Sequence, residues 1–510
     1  MELNPILKMD YPDPDVIRVG DTYYMISTTM HFFPGGALLR SFDLVHWEMY
    51  SYVFDRLDDT PAQRLEGEQN IYGQGMWAAS LRYHKGRFYV CFVANDTHRA
   101  YLYTAEDPAG PWTRRPMEGF YHDCSLFFEE DGSVYIVYGN TDIRLTQLKP
   151  DLSGPLPGGL DRVIVREQGN KMLGYEGSHM YRIGGRYYVF FIHSLPDRWM
   201  RVESCFAADS LTGEFTGGDV LEDTRGYCGQ GVAQGGIVDT PSGDWYAVLF
   251  QDSGAVGRIP VLLPVHFEEG FPVFGEKGKV PEYFLAASTR PGAVCGPLYA
   301  SDRFLGEESG ELSRLKKVWQ FNHQPREGFW GVGNGRFWIR TGKLSRSLTE
   351  AQNTLTQRLL FPSCKVSVTL DFSGLSEGDC AGLCALQSCW GMIGVVIEQG
   401  RPLLVMEGIE TQNPDMNCLE TDAVPKRYAQ AELTGRSVRL SLQADFWQMK
   451  DEVSFSYDDG TGERRLGPSH KLYFKLDHFC GCRVGLFVFS TQREGGVAAF
   501  EDFVYEGSRD

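Results

Sequence analysis

Short runs of aromatic and β-branched residues, each opened by a polar turn, recur through the first half of the chain. Five of them rhyme: Asp21-Thr-Tyr-Tyr-Met, Gly86-Arg-Phe-Tyr-Val, Gly132-Ser-Val-Tyr-Ile, Gly185-Arg-Tyr-Tyr-Val and Gly243-Asp-Trp-Tyr-Ala. The shared tyrosines, Tyr24, Tyr89, Tyr135, Tyr188 and Tyr246, stand 65, 46, 53 and 58 residues apart. Such runs are strands, and the small polar residues before them are hairpin turns. A second landmark lies between them. Ser41-Phe-Asp-Leu-Val-His-Trp47, Ala105-Glu-Asp-Pro-Ala-Gly-Pro-Trp112 and Ala208-Asp-Ser-Leu-Thr-Gly-Glu-Phe215 each read as strand end, polar turn, then an aromatic. Repetition at roughly 40–50 residues or slightly more marks radially arranged four-stranded sheets. Five units predict a five-bladed β-propeller. A sandwich of repeated hairpins is the alternative, and the matched internal landmarks favour the propeller.

The repeat stops after Phe274. Residues 275–317 are mixed in character, with Pro281, Pro291, Pro297 and the polar stretch Gly306-Glu-Glu-Ser-Gly-Glu. From Val318 a different β pattern begins. Phe337-Trp-Ile-Arg, Lys365-Val-Ser-Val-Thr-Leu-Asp, Gly391-Met-Ile-Gly-Val-Val-Ile, Ser437-Val-Arg-Leu-Ser-Leu and Arg483-Val-Gly-Leu-Phe-Val are strands broken by Gly- and Asp-rich turns. They predict a jelly-roll β-sandwich. No long 3.6-residue period appears, so helix should be sparse. The expected organisation is all-β: a propeller over 1–290, a linker over 291–317 and a sandwich over 318–510.

Composition narrows the function. The chain has 510 residues, too many for one core. Its net charge of −18 argues against nucleic acid and anionic membranes as partners, and suits a neutral ligand such as a sugar. No stretch approaches the ~18 apolar residues of a membrane span. The first residues lack the basic and apolar regions of a secretion signal, so a cytoplasmic location is expected. Several of the 12 cysteines, such as Cys91 and Cys384, lie inside apolar runs and read as reduced structural thiols. Cys480-Gly-Cys482 is too close for an ordinary disulfide and lacks a second pair for zinc. Besides an oligosaccharide, a second copy of the chain is the partner to look for.

Three carboxylates stand out. Asp13, in Asp10-Tyr-Pro-Asp-Pro-Asp15, is held between two prolines that fix φ on either side. Asp123, in Phe120-Tyr-His-Asp-Cys-Ser-Leu-Phe-Phe, faces an apolar run and must be paired or hydrogen-bonded. Glu176, in Leu173-Gly-Tyr-Glu-Gly-Ser-His-Met-Tyr, has glycines near it on both sides that allow a ligand to come close. They precede Tyr24, Tyr135 and Tyr188 by 11, 12 and 12 residues, so they occupy equivalent places in three units. A lone acid at such a place is a turn cap. Three at a common offset converge on the propeller axis. Convergent carboxylates around a neutral pocket suggest glycoside hydrolysis, one group protonating the leaving oxygen and another activating water.

These residues match a known family. Asn4-Pro-Ile-Leu, Tyr11-Pro-Asp-Pro-Asp, Ser27-Thr-Thr-Met-His-Phe-Phe-Pro-Gly, Met76-Trp-Ala-Ala-Ser-Leu and Gly177-Ser-His-Met-Tyr resemble glycoside hydrolase family 43. Trp319-Gln-Phe-Asn-His-Gln-Pro, Asn353-Thr-Leu-Thr-Gln-Arg and Ala381-Gly-Leu-Cys-Ala-Leu-Gln resemble the concanavalin-like sandwich of its β-xylosidase and α-L-arabinofuranosidase branch. The resemblance implies an inverting hydrolase with Asp13 as general base, Glu176 as general acid and Asp123 as modulator of the acid. It implies a raised pKa for the acid. It makes Trp77 a sugar contact, and it sets Arg258 beside Asp123, where a guanidinium would keep that carboxyl ionised. Met30 and His31 fall in the region of one pocket wall. The His478-Phe479 segment lies where related enzymes lend a side chain to the pocket. Gln234 stands where many relatives carry an axial histidine. Its carbonyl oxygen is an acceptable ligand for a structural calcium at the propeller axis, so the metal stays open, and no cofactor is required for the chemistry. Cys124 replaces a common proline and Met30 a common aromatic.

The implied activity is exo-acting release of a terminal pentose, α-L-arabinofuranosyl or β-D-xylosyl, from plant cell-wall oligosaccharides such as arabinoxylan fragments. Mainly β-D-xylosidase action is the first alternative. A non-catalytic carbohydrate-binding propeller is another, against which the acid trio argues. A retaining enzyme is a third and would need closer carboxyls, ~5–5.5 Å apart.

Overall fold

The structure, a computed structural model, describes residues 2–167, 169–284, 287–418 and 424–507. The first half is a five-bladed propeller of four-stranded antiparallel sheets, each built from strands in chain order, the first blade passing over one short strand between its second and third. The innermost strands are Asp15–Val19, Ser80–His84, Ser125–Phe128, Glu176–Ile183 and Val232–Asp239, and each touches the next around a closed ring. The five rhyming tyrosines all lie on the second strand of their blades. Lys85-Gly86 and Gly184-Gly185 form two-residue hairpin turns with left-handed backbone at both positions, which matches the twist of the flanking strands. Blades pack through aromatic layers: Phe54 stacks on Phe92, and Phe92 on Tyr101, at centroid distances of 5.5 and 5.3 Å.

Among the described residues no strand is shared between the first blade and the last. The short strand Glu2–Leu3 pairs instead with Tyr283–Phe284, outside the blades. Asn4 then fastens the ring. Its amide donates to Leu262 O and Pro281 O (2.7 and 2.8 Å), and its Oδ1 accepts from Leu262 N (2.9 Å).

The second half is a β-sandwich of two large antiparallel sheets. Its long strand Ser363–Gly374 alternates buried Cys364, Val366, Val368, Leu370 and Phe372 with half-exposed polar residues, the period of a sheet with one face in the core. One sheet is completed from outside. Its edge strand is Phe32–Phe33 of the propeller, which pairs with Gln320–Asn322. The two domains therefore share a sheet. Three buried arginines stack across the same seam. Arg258 lies over Phe479 (4.6 Å), Arg358 over Tyr11 (4.1 Å) and Arg483 over Phe32 (3.5 Å). The segment after the propeller runs along the sandwich through the bridges Asp302–Phe503 and Ser309–Val332. None of the twelve cysteines is in a disulfide. No helix among the described residues is long and apolar enough to cross a membrane.

Candidate active site

Each blade delivers one side chain where the chain enters its inner strand. These are Asp13, Trp77, Asp123, Glu176 and Gln234, eleven or twelve residues before the tyrosine of their blade. The offset that marks three acids thus also marks Trp77 and Gln234, which precede Tyr89 and Tyr246. Asp13 (φ 53°), Asp123 (φ 46°) and Gln234 (φ 55°) sit in the left-handed region, which side chains rarely adopt. Such backbone persists only where its surroundings over-determine it. Here they do. Pro12 O accepts from Ser27 Oγ (2.7 Å) and Thr28 N (3.2 Å), Pro14 O from Gly236 N (3.1 Å), and Asp123 O from Ser178 N (3.1 Å). Arg82 ties three blades together, donating to Asp15 Oδ2, Ser125 Oγ and Leu126 O at 2.6, 2.6 and 2.9 Å. At Gly177 (φ 70°) an added Cβ would meet the Gln234 side chain at 2.8 Å, so only glycine lets the fourth and fifth blades close beside Glu176.

The carboxyls have different partners. Asp13 is buried and accepts from Arg258 Nη1 at 2.8 Å. Arg258 is held in turn by the sandwich, its Nη2 donating to Phe479 O at 3.2 Å and its plane lying over the Phe479 ring. This corrects the expected pairing of Arg258 with Asp123. The guanidinium bonds Asp13 and acts on Asp123 only through space. Burial above all pushes Asp123 up to about 7, with His122 opposing, Glu176 and Asp13 adding, and Arg258 opposing. Glu176 Oε2 accepts from Asn140 Nδ2 at 2.7 Å and lies 3.3 Å from His122 Nε2. His122, Asp123 and Glu176 bring polar atoms within 4.8 Å of one another.

Trp77 is half-buried between the ring of His122 (5.4 Å) and that of Phe479 (5.5 Å). Phe479 comes from the sandwich and touches both Trp77 and Arg258. Its neighbour His478 stacks on Tyr72 at 4.0 Å instead. Met30 is buried, and its backbone pairs with Met76 on both sides (3.1 Å), which fixes the turn into Trp77. His31 has no exposed surface. It lies at the domain seam among Phe32, Tyr72, His323 and His478. At the axis Asp15 Oδ1 is buried without a hydrogen-bond partner, the acceptor that an axial cation would take. His122 and Asn140 were not singled out in the sequence. His122 was visible only as the neighbour of Asp123. Asn140 follows the second strand of the third blade, Val134–Tyr138, and reaches Glu176 only once two blades are side by side.

The chain is similar to known proteins over nearly its whole length. The model of glycosyl hydrolases family 43 matches residues 3–272. The model of the β-xylosidase C-terminal concanavalin A-like domain matches residues 311–506. A β-xylosidase of Formosa agariphila is 26% identical over 99% of this chain and 90% of its own. A non-reducing end α-L-arabinofuranosidase of Bacteroides ovatus is 25% identical over 74% of this chain and 72% of its own. Among solved structures, a bifunctional family 43 and carbohydrate esterase protein of Bacteroides eggerthii superposes with a TM-score of 0.90 at 39% identity. It covers all of this chain, which spans only 64% of that protein. An engineered family 43 enzyme, described as displaying both endo-xylanase and exo-arabinofuranosidase activity, superposes at 0.87 with 28% identity over 99% of both chains.

Proposed function

Since the chain belongs to glycosyl hydrolases family 43 and is a glycoside hydrolase, we propose that it releases a terminal pentose from plant cell-wall oligosaccharides with inversion. The pentose is α-L-arabinofuranosyl or β-D-xylosyl. The observation that carries this reading is the set of three inward carboxyls from three blades, Asp13 on Arg258 and Asp123 and Glu176 on either side of His122. Glu176, aimed by Asn140, gives its proton to the glycosidic oxygen as the bond to the anomeric carbon breaks. Asp13 takes a proton from the water that attacks that carbon from the opposite face. Asp123 stands beside the acid, with His122 against both. Trp77 and Phe479 supply apolar surface against the sugar and close the end of the pocket, which fits removal of one terminal residue. Asp15 would hold an axial cation, which would steady the ring, and no step depends on it.

Names among the relatives divide between the two sugars, and a single pocket contact separates them by only about 1–3 kcal/mol. The test is hydrolysis of p-nitrophenyl α-L-arabinofuranoside, p-nitrophenyl β-D-xylopyranoside and xylobiose by the wild type and by Glu176→Ala. At least one substrate should be cleaved, and the ratio of rates names the pentose. Xylobiose or arabinosyl-oligosaccharide turnover should fall by about 10²–10⁴ in the variant, and the nitrophenyl substrates, whose leaving group needs less protonation, by less. A folded wild type that cleaves none of them refutes the reading.

A further inference from the structure

A cation that neither the repeat nor the family resemblance assigns stands among the carboxyls. His122 Nε2 lies 3.3 Å from Glu176 Oε2 and 3.7 Å from Asp123 Oδ1, and its ring leans on Trp77. Asn140 reaches the same Glu176 oxygen. Both donors converge on Oε2, which leaves Oε1 to face a glycosidic oxygen. We propose that His122 is a positioning residue that sets the pH window of the reaction, fixing Glu176 by one oxygen and opposing protonation of its neighbour Asp123.

The charged and titratable groups around it are few. Asp123 and Cys124 come from its own segment and Glu176 from the fourth blade, while Asp13 and Arg258 act on Asp123 from the first and fifth. Burial pushes His122 down, but Asp123 and the hydrogen bond to Glu176 outweigh it and carry the imidazole up to about 9. A cation at this distance stabilises an ionised carboxylate by about 1–3 pKa units. Removing it favours the protonated form of Asp123, so the carboxyl cluster keeps a proton to higher pH.

This inference rests on the reading of Glu176 as the general acid. The test is kcat/KM against pH for His122→Gln, which keeps a neutral donor, and His122→Phe, which keeps a ring against Trp77. The substrate is xylobiose or an arabinosylated xylo-oligosaccharide, whichever the wild type cleaves, because an unactivated leaving group exposes the need for the acid. The alkaline limb should move up by about one unit or more in both variants. The loss at the optimum should be smaller for Gln than for Phe. An unmoved limb with a uniform drop would mean a merely structural histidine. Loss of activity at every pH, in a variant with wild-type circular dichroism, would place His122 in the proton transfer itself. Either result overturns the proposal. Should neither variant fold, an NMR titration of the wild-type imidazole decides: charge retained above pH 8 supports the proposal, and a neutral ring at pH 7 ends it. Wild-type turnover of the oligosaccharide that survives Glu176→Ala would instead sink the underlying acid assignment.

Discussion

Arg258 shows how much of the site hangs on single side chains. It sits 245 residues from Asp13 and 221 from Phe479, yet it bonds both. Replacing it with lysine keeps the charge but loses the planar fork that spans carboxylate, carbonyl and ring. Arg258→Lys should lower kcat/KM on oligosaccharide by about 10²-fold, since small misplacements of a reacting group carry penalties of that order. Circular dichroism should stay unchanged, and steady-state kinetics would check the loss. The acids themselves were legible because a common offset from the strand tyrosines survives in the chain. Their partners were not. Which carboxyl Arg258 meets depends on the angle between blades one and five and on a loop from the other domain, neither of which leaves a local trace. His122 was hidden for a different reason: a histidine beside an aspartate is unremarkable until a second blade sets Glu176 against it.

At the scale of elements, the turns and strands of each blade were readable from alternation and small residues. The two-residue strand Phe32–Phe33 was not. It is too short to show a period, and its partner Gln320–Asn322 lies nearly 300 residues away. Within the propeller alone that strand would be an open, aromatic edge, the kind that templates association. A chain cut to residues 1–290 should therefore aggregate or elute as oligomers in size-exclusion chromatography. It should also lose most activity, because Phe479 no longer backs Trp77 and Arg258. A monomeric, fully active fragment would show that the shared sheet is dispensable.

The whole molecule carries a titration at its seam. His31 and His323 are held well below the ordinary imidazole value of 6.5, and His478 is lowered to about 4, in each case by burial first. Groups neutral in the fold but protonated when unfolded stabilise it above pH 6.5, and that contribution drains away as pH falls toward 4. For His478 alone the loss approaches about 3 kcal/mol by pH 4. Asp123, raised by burial, works in the opposite sense, so the informative quantity is a difference between proteins. His478→Phe, which keeps a ring on Tyr72, should gain thermal stability relative to wild type as the pH is lowered from 7 to 4.5. Differential scanning fluorimetry at a series of pH values would read this, and parallel melting curves would refute it. The two-domain layout was plain from the change of pattern after Phe274; the joint between the domains was not, because it is made by residues that look like core of either one. That joint bears on how such proteins can be recombined. Exchanging sandwiches between relatives by cutting within 275–317 would import seven strands of a sheet whose eighth stays behind. A workable graft must carry the Phe32–Phe33 strand with it, so here the unit of inheritance is larger than the domain.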